Sequence, residues 1–253
     1  MSTYLLVHGA FHGGWAWQRV VPLLESAGHT ALAPSLVGLG ERADQLTRYV
    51  GLDTHVDDLV GLVTTEALTD VILVGHSYAG IVITALADRM PDRIAELVYV
   101  DTFVPRDGEA VADIMPPMVE AFAQAAADSG DGWRVPPPTE PLGDGGINGV
   151  TTEPDLSWLA SMLTAQSLKT FQQPLWLSNP QALAYIPVTH IYCSEGGAEF
   201  QAMRAAMPRT LPPDDLPPER LKVLPTGHDC MITMPRELAR HLLAVAAQPS
   251  AAS

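Results

Sequence analysis

Short apolar runs alternate along the chain with longer amphipathic stretches. The apolar runs are rich in β-branched residues, and they lie at Tyr4–Val7, His29–Ala33, Val71–Val74, Leu97–Val100, Val188–Cys193 and Leu221–Leu224. The amphipathic stretches that follow have helical length, and they lie at Ala16–Ala27, Thr54–Ala67, Tyr78–Arg89, Ala198–Ala206 and Pro235–Ala246. Such alternation predicts an α/β fold, in which helices cover both faces of a mainly parallel sheet. Runs such as VILV and LVYV have no polar side, as expected for strands that are covered on both faces.

The alternation stops between Val104 and Pro187. This segment contains clusters of proline and glycine and two helical patterns, near Met118–Ala127 and Leu156–Leu168, but no clear strand. We interpret it as a helical cap, because a long interruption of a regular fold usually carries function. The sequence thus predicts one domain, with a core over residues 1–103 and 188–253 and a cap over residues 104–187. Large apolar cap residues could line a pocket, although most such residues pack in the interior: Met115, Met118, Phe122, Trp133, Trp158, Phe171 and Trp176.

Composition and charge exclude several classes of protein. Lys and Arg number 14 against 29 Asp and Glu, which gives a formal net charge of −15. This charge excludes binding driven by nucleic-acid backbones or anionic membrane surfaces. No segment has the roughly eighteen apolar residues of a membrane span, and the N-terminus lacks the features of a secretory signal. Only two cysteines occur, Cys193 and Cys230, far apart in sequence. They predict free thiols in a cytoplasmic protein, and we expect neither a metal nor a cofactor.

The strongest chemical signal is the sequence Gly-His-Ser-Tyr-Ala-Gly around Ser77, where a predicted buried strand meets a predicted helix. A sharp turn at this position strains the serine backbone and brings neighbouring chains close, so small residues are needed beside it. Gly75, Ala79 and Gly80 meet that need. The turn presents the hydroxyl above the sheet, which makes Ser77 the predicted nucleophile. A buried structural serine is the alternative.

A serine hydroxyl becomes a good nucleophile only when an adjacent base takes its proton. His228 follows the last predicted strand, at the edge of the sheet where ligands and catalytic groups of open α/β folds collect, and it is the predicted base. The oxyanion formed on attack needs two donors. We predict the N–H of Tyr78, at the helix N-terminus, and that of Ala10, in a loop where Gly9 allows close approach. A plain glycine turn is the alternative interpretation of this loop.

Together these motifs resemble the α/β-hydrolase superfamily, and within it the plant-type branch of methyl-salicylate-type esterases and hydroxynitrile lyases. The resemblance is carried by HGAFHGGWAW, VILVGHS and GHDC, and it covers the chain up to about residue 100 and again from Val188 onward. It implies an α/β-hydrolase fold with a six-stranded, mainly parallel sheet, helices on both faces and a helical cap insertion. It also implies the same nucleophile, base and oxyanion donors. For the substrate pocket we predict Phe11, His76, Phe103, Trp133 and Trp158.

The acid of the triad is where the sequence departs from this branch. The branch carries an aspartate in a turn after the strand that corresponds to Val188–Cys193, and this chain has Gly196 at that place. Asp101 follows the run Leu97–Val100 directly. Several α/β-hydrolases carry their acid after that strand, so we predict Asp101. Glu195 is the alternative acid, and a turn cap is the alternative role for Asp101.

The resemblance favours an esterase over a lyase. Lyases of this branch have a lysine after the base histidine, where this chain has Asp229, which we expect to cap its loop or to adjust His228. We predict a serine hydrolase that cleaves a small carboxylic ester through an acyl-Ser77 intermediate. One alternative is an acyltransferase or thioesterase that meets an acyl-carrier partner through Arg106 and Arg134. The other is a non-catalytic small-ligand receptor, and a homodimer stays open.

Overall fold

Parallel strands form a six-stranded sheet at the centre of the structure. The computed structural model describes residues 1–129, 131–207, 209 and 216–247. In chain order the strands are β1 (Thr3–Val7), β2 (Thr30–Leu32), β3 (Val71–His76), β4 (Ile94–Val100), β5 (Arg134–Val135), β6 (Gln166–Ser167), β7 (Val188–Cys193) and β8 (Leu221–Leu224). The order in the main sheet is β2-β1-β3-β4-β7-β8, and every neighbouring pair is parallel. The predicted α/β fold is therefore confirmed.

Helices cover both faces of this sheet, with α1 (Val21–Ser26) against α11 (Pro235–Ala246) and α2 (Leu52–Thr65) against α3 (Ala79–Arg89). In chain order they are α1 (Val21–Ser26), α2 (Leu52–Thr65), α3 (Ala79–Arg89), α4 (Val111–Ile114), α5 (Pro116–Asp128), α6 (Asp155–Met162), α7 (Lys169–Gln172), α8 (Pro180–Leu183), α9 (Ala198–Ala205), α10 (Cys230–Thr233) and α11 (Pro235–Ala246). Strand β3 is buried along its whole length, and so is helix α3 up to its last residue. A helix that is apolar on all sides has no face for solvent, which explains its position at the centre of the fold.

Two predicted helices differ in their bounds from the structure. The stretch predicted at Ala16–Ala27 is divided into a 3-10 turn at Gly14–Trp17 and helix α1, which begins next to Pro22 because proline suits only the first helical turn. Helix α2 begins two residues before the predicted Thr54, with Gly51 as its N-cap. The Gly51 N–H donates to Thr54 Oγ1 at 3.1 Å, so the threonine stabilises the helix start from inside the first turn.

The segment 104–187 contributes no strand to the main sheet in the part of the chain that the structure describes, and it carries α4 to α8. The prediction that it contains no strand is wrong, since β5 and β6 pair antiparallel, with Arg134 opposite Ser167. A strand of two residues is too short for a hydrophobic period to reveal it. The helical pattern predicted up to Leu168 ends early, at Met162, where the chain turns towards β6.

The buried residues form a continuous hydrophobic core that extends from the sheet into the segment 104–187. It includes both cysteines, Cys193 and Cys230, which are buried free thiols, as predicted. Within the described ranges, no helix has the length and apolarity to cross a lipid bilayer.

Candidate active site

Ser77 lies in a strained turn between β3 and α3. Its φ angle is 54°, a left-handed value that only a tightly determined turn imposes on a residue other than glycine. The Ser77 N–H donates to Val100 O at 3.2 Å, and its carbonyl accepts the Gly80 N–H at 3.0 Å. A Cβ atom at Gly75 would lie 2.8 Å from the Ile83 side chain, and one at Gly80 would overlap the chain at Thr102. The predicted need for small residues at positions 75 and 80 is met by this geometry.

His228 lies in the loop between β8 and α10 and forms a hydrogen bond with Asp101. The His228 Nδ1–H donates to Asp101 Oδ2 at 2.6 Å. Ser77 lines the same cavity as both residues. Among the described residues no hydrogen bond joins Ser77 Oγ to the His228 ring, so the hydroxyl and the imidazole are not yet hydrogen-bonded in this state. Catalytic hydrogen bonds are often long before substrate binds and shorten in the reactive complex.

The carboxylate of Asp101 is buried and fully supplied with donors. The residue leaves β4 with a φ angle of 46°, which turns its side chain along the C-terminal edge of the sheet. Oδ2 also accepts from Arg204 Nη2 at 2.5 Å, and Oδ1 accepts the Cys193 N–H at 2.9 Å. Burial opposes the charged form, but the hydrogen bond and charge of His228 and the charge of Arg204 outweigh it and hold the Asp101 pKa below its usual value.

Glu195, the alternative acid, lies away from this cluster. Its side chain is exposed, and its backbone N–H donates to Thr226 O at 2.9 Å. It lines a separate polar cavity together with Asp144 and Asp155. Of the two predicted acids, the structure brings Asp101 to His228 and places Glu195 elsewhere.

Ala10 and Tyr78 line the same cavity as Ser77, as the prediction of two oxyanion donors requires. In the described part of the chain, neither of their backbone N–H groups is bound to a protein acceptor. A Cβ atom on Gly9 would lie 3.0 Å from Ser77 Cβ, so glycine lets the first loop approach the nucleophile. The peptide group that follows Ala10 is held in place, because the Phe11 N–H donates to the Gln166 side chain at 2.8 Å.

The cavity has two lobes that meet at Ser77 and His228. The Asp101 lobe spans about 450 Å³ of space, open solvent at its mouth included, and is lined on its own side by Asp101, Thr102, Phe103, Arg204 and Met207. The phenylalanine lobe spans about 590 Å³, again with open solvent included, and is lined on its own side by Ala10, Phe11, His12, His76, Tyr78, Val111, Phe122, Pro138, Asn148 and Phe171. The wall between them is shared by Ser77, Met115, Met118, Phe200, Met203 and His228. Most of these side chains are apolar, which suits an uncharged organic substrate.

Three of the five predicted pocket residues line this cavity: Phe11 and His76 in the phenylalanine lobe, and Phe103 in the Asp101 lobe. Trp133 and Trp158 do not line either lobe, so that prediction is corrected. The Trp158 ring packs edge-on against Trp15, with ring centres 5.3 Å apart. The Trp133 ring packs under the Arg134 guanidinium at 4.9 Å. Trp158 thus packs the segment 104–187 against the core, and Trp133 is a half-buried ring beside its neighbour in sequence.

Other cap residues take the place of the two tryptophans. Met115, Met118, Phe122 and Phe171 line the cavity, whereas Trp176 is exposed. The rings of Phe122 and Phe171 lie 5.0 Å apart, and Phe11 lies 5.3 Å from Phe122. Three aromatic rings at these distances form a wall suited to a flat apolar group.

Asp229 does not cap its loop with its side chain, contrary to one of the two roles expected for it. The carboxylate is completely buried, and its Oδ2 accepts the His12 Nε2–H at 3.0 Å. The other ring nitrogen of His12 lies 2.7 Å from Ala10 O. Because both nitrogens face acceptors, His12 is the imidazolium. Burial opposes this charge, yet the charge and hydrogen bond of Asp229 outweigh it and raise the His12 pKa.

Sequence reasoning missed the contribution of helix α9. Phe200 and Met203 line both lobes, and Arg204 reaches the Asp101 carboxylate. The available signal is the spacing of Phe200, Met203 and Met207, an apolar stripe on which Arg204 also falls. A basic residue on the apolar face of a helix is costly unless it is paired, and its partner is the predicted acid. Within the described residues, no group of His, Cys, Asp or Glu could hold a metal ion.

Comparison with known proteins identifies the family. The model of the alpha/beta hydrolase family matches residues 4–241. The chain therefore belongs to the α/β hydrolases, and it is an enzyme of the esterase-like type. Its sheet order and its serine turn are those expected of that class.

Individual relatives include both bacterial and plant esterases. The chain is 36% identical over 254 residues to the carbendazim hydrolyzing esterase of Nocardioides sp. (strain SG-4G), a match that covers 97% of this chain and 100% of the relative. It is 36% identical over 103 residues to methylesterase 8 of Arabidopsis thaliana, which covers 40% of this chain and 38% of the relative. An α-hydroxynitrile lyase of the same plant is 38% identical over 103 residues, again about 40% of each chain. The predicted resemblance to the plant-type branch is confirmed.

Solved structures show the same fold. An extracellular α/β-hydrolase from a Paenibacillus species, described as homologous to tobacco salicylic acid binding protein 2, has a TM-score of 0.75 at 23% identity and covers 96% of this chain and 98% of its own. Tomato methylketone synthase I has a TM-score of 0.79 at 21% identity, with 97% and 98% covered. At this level of identity the likeness concerns the fold alone.

Proposed function

We propose that the protein is a serine hydrolase that cleaves a small, uncharged carboxylic ester through an acyl-Ser77 intermediate. The observation that carries the proposal is the 2.6 Å hydrogen bond from His228 Nδ1 to Asp101 Oδ2, in a cavity that Ser77 also lines. A carboxylate on Nδ1 leaves Nε2 of the neutral ring free to accept a proton, which is the arrangement of a general base. The nearly full-length likeness to an esterase supports the same chemistry.

The reaction proceeds in two halves. In the first, Ser77 Oγ attacks the ester carbonyl carbon, His228 Nε2 takes the hydroxyl proton, and the carbonyl electron pair moves to oxygen. The tetrahedral intermediate collapses, and the leaving alcohol takes the proton from His228. In the second, His228 removes a proton from water, which attacks the acyl-Ser77 carbonyl. Collapse of this intermediate releases the carboxylic acid and returns the proton to Ser77 Oγ.

The developing oxyanion is bound by the N–H groups of Ala10 and Tyr78. Both residues line the phenylalanine lobe, which Ser77 also lines, and Gly9 permits the close approach that two convergent donors need. Asp101 remains charged throughout and stabilises the His228 imidazolium.

The lining of the cavity indicates the substrate class. The phenylalanine lobe is suited to an aromatic or apolar group, and the methionines on the shared wall adapt to different shapes. The charged side chains that reach the cavity, including Asp101 and Arg204, are paired with protein groups. We therefore propose a neutral ester with one apolar group on each side of the carbonyl, covered by the segment 104–187 acting as a cap.

A fluorophosphonate probe and a graded ester panel test this proposal. The probe is expected to attach to Ser77 in the wild-type protein, and the Ser77→Ala variant is the matched control. The panel contains p-nitrophenyl and aryl methyl esters of increasing acyl size, together with carbendazim, the compound named for the bacterial relative. Turnover of neutral aromatic esters supports the assignment. Absence of labelling would contradict it and would favour the receptor alternative.

The acyl-carrier alternative finds less support. Arg134 lies 3.6 Å from the carboxylate of Asp131. Within the described residues the Arg106 side chain forms no salt bridge, but its backbone N–H donates to Glu109 Oε2 at 2.7 Å, and the chain around it is strongly acidic. An acidic carrier protein needs an uncompensated basic surface. Water as the acyl acceptor is therefore the proposal that we retain.

A further inference from the structure

Arg204 is a buried cation in the wall of the candidate active site. It comes from helix α9, is 5% exposed, and lies between the rings of Tyr192 and Phe200, at 4.7 and 5.0 Å from their centres. Nη1 donates to Cys193 O at 2.5 Å, and Nη2 donates to Asp101 Oδ2 at 2.5 Å. A guanidinium held in this way is part of the protein frame and is not available to bind substrate.

One oxygen of Asp101 serves both Arg204 and His228. Oδ2 accepts from His228 Nδ1 at 2.6 Å as well as from Arg204, while Oδ1 is held by the Cys193 N–H. Three fixed donors allow the carboxylate a single orientation, the one that faces the imidazole. The cation also cancels part of the negative charge that would otherwise act on the ring.

We infer that Arg204 is a positioning residue of the proposed triad, which orients the Asp101 carboxylate towards His228 and offsets part of its charge. This inference rests on the proposed function. It gives the unusual site of the acid a physical explanation. With Gly196 at the place where the plant-type branch has its aspartate, helix α9 directs a cation to the acid that follows β4.

The other groups that face His228 do not supply this charge balance. His76, at the end of β3, lies 4.5 Å away ring to ring, and burial lowers its pKa to about 3, so it is neutral. Asp229, in the same loop as His228, is paired with His12 from the loop after β1. Helix α9 otherwise presents the Phe200 ring, 5.6 Å from the imidazole. Asp101, paired with Arg204, is therefore the charged group that acts most directly on the His228 ring.

The test is the pH dependence of kcat/KM for a p-nitrophenyl ester in Arg204→Met, Arg204→Gln and Arg204→Lys. Loss of the positive charge strengthens the field of Asp101 on His228, so the acidic limb of the profile should move to higher pH in the Met and Gln variants. Arg204→Lys retains the charge and should keep the limb near the wild-type position. The plateau rate should fall in the Met variant, because the carboxylate loses one of its three donors.

Arg220→Met is the matched control. Arg220 pairs with Glu96 at 2.8 Å, on the opposite end of β4 and far along the strand from Asp101. Its loss removes a partly buried ion pair without touching the cavity, so it should lower the melting temperature and leave the pH profile in place. If Arg204 only stabilises the fold, its variants should likewise have a lower melting temperature and an unchanged pH profile.

An acidic limb that stays in place or moves downward in the Met and Gln variants would overturn the inference. Gln is shorter than Arg but retains hydrogen-bond donors for the buried polar surroundings, so it provides the result if Met does not fold. The pH dependence of fluorophosphonate labelling gives the same readout without turnover. Activity retained in His228→Ala would instead refute the proposed function, and thus the two failures are distinct.

Discussion

Replacement of Asp101 by asparagine should separate stability from catalysis in this protein. The change removes one negative charge and leaves Arg204 as a buried cation with no counter-ion, which typically costs about 3–5 kcal/mol of unfolding free energy. The Asn oxygen should still face His228 and Arg204, because two donors converge there and a single N–H, that of Cys193, lies on the other side. The imidazole tautomer is then retained, but the charge that stabilises the imidazolium is lost.

The expected loss in kcat is about 10²- to 10⁴-fold; the upper figure is the loss in a serine-protease triad whose acid is made neutral and whose imidazole tautomer is then also wrong. The double variant Asp101→Asn/Arg204→Met restores charge balance. It should recover most of the lost stability, because a neutral buried pair carries no uncompensated charge. It should not recover activity. Urea denaturation measures the first quantity, and steady-state kinetics on a p-nitrophenyl ester measure the second.

Glu195→Gln is the matched control, since this exposed carboxylate lines a different cavity. It should change kcat by no more than about twofold. The reasoning is refuted if Asp101→Asn retains kcat within tenfold of wild type, or if Glu195→Gln is the more damaging change. A double variant no more stable than Asp101→Asn would contradict the account of charge balance.

Further predictions concern the first loop and the cap. Because folding raises the His12 pKa, the stabilisation from protonated His12 is present at low pH and is lost as pH rises through the raised pKa. Because folding lowers the Asp229 pKa, the stabilisation from charged Asp229 is present at higher pH and is lost as pH falls through the lowered pKa. Asp229→Asn should therefore lower the melting temperature most near neutral pH, and a difference that is flat across pH would contradict the ion pair. Gly9→Ala places a Cβ atom 2.8 Å from the His76 ring and should reduce kcat by about 10²-fold with little change in KM, because it displaces an oxyanion donor; an unchanged kcat would remove Ala10 from that role. Phe122→Ala should raise KM for aromatic esters about tenfold through lost ring packing, measured against aliphatic esters of equal size. Trp158→Ala should leave KM unchanged and lower the melting temperature, and a selective loss of aromatic substrates would return this residue to the pocket.

The sheet and the serine turn could be predicted from sequence because their signals are local. The fully apolar run over Val71–Val74 followed by glycines around Ser77 admits few other structures, and the turn appears where that pattern places it. Helix ends were less predictable, as at Thr54, because a side chain can stabilise a helix start from outside or inside the first turn.

Tertiary contacts between distant segments were harder to foresee. The sequence placed Asp101 at the end of a strand but contained no pattern that joins it to Arg204, which lies on a helix after a different strand. The choice between Trp158 and Phe122 for the pocket depended on how helices α6 and α5 rotate, and composition does not encode that rotation. The partner of Asp229 also lies in another segment, at His12, so a local capping role was the wrong expectation.

Trapping the acyl-enzyme tests the central claim most directly. Wild-type protein is mixed with a p-nitrophenyl ester, quenched in acid within milliseconds, digested and analysed by mass spectrometry. The account predicts that the peptide containing Ser77 gains the mass of the acyl group, and that this adduct is absent in Ser77→Ala. Rapid turnover with no acylated Ser77 peptide, or with the acyl group on another residue, would contradict it.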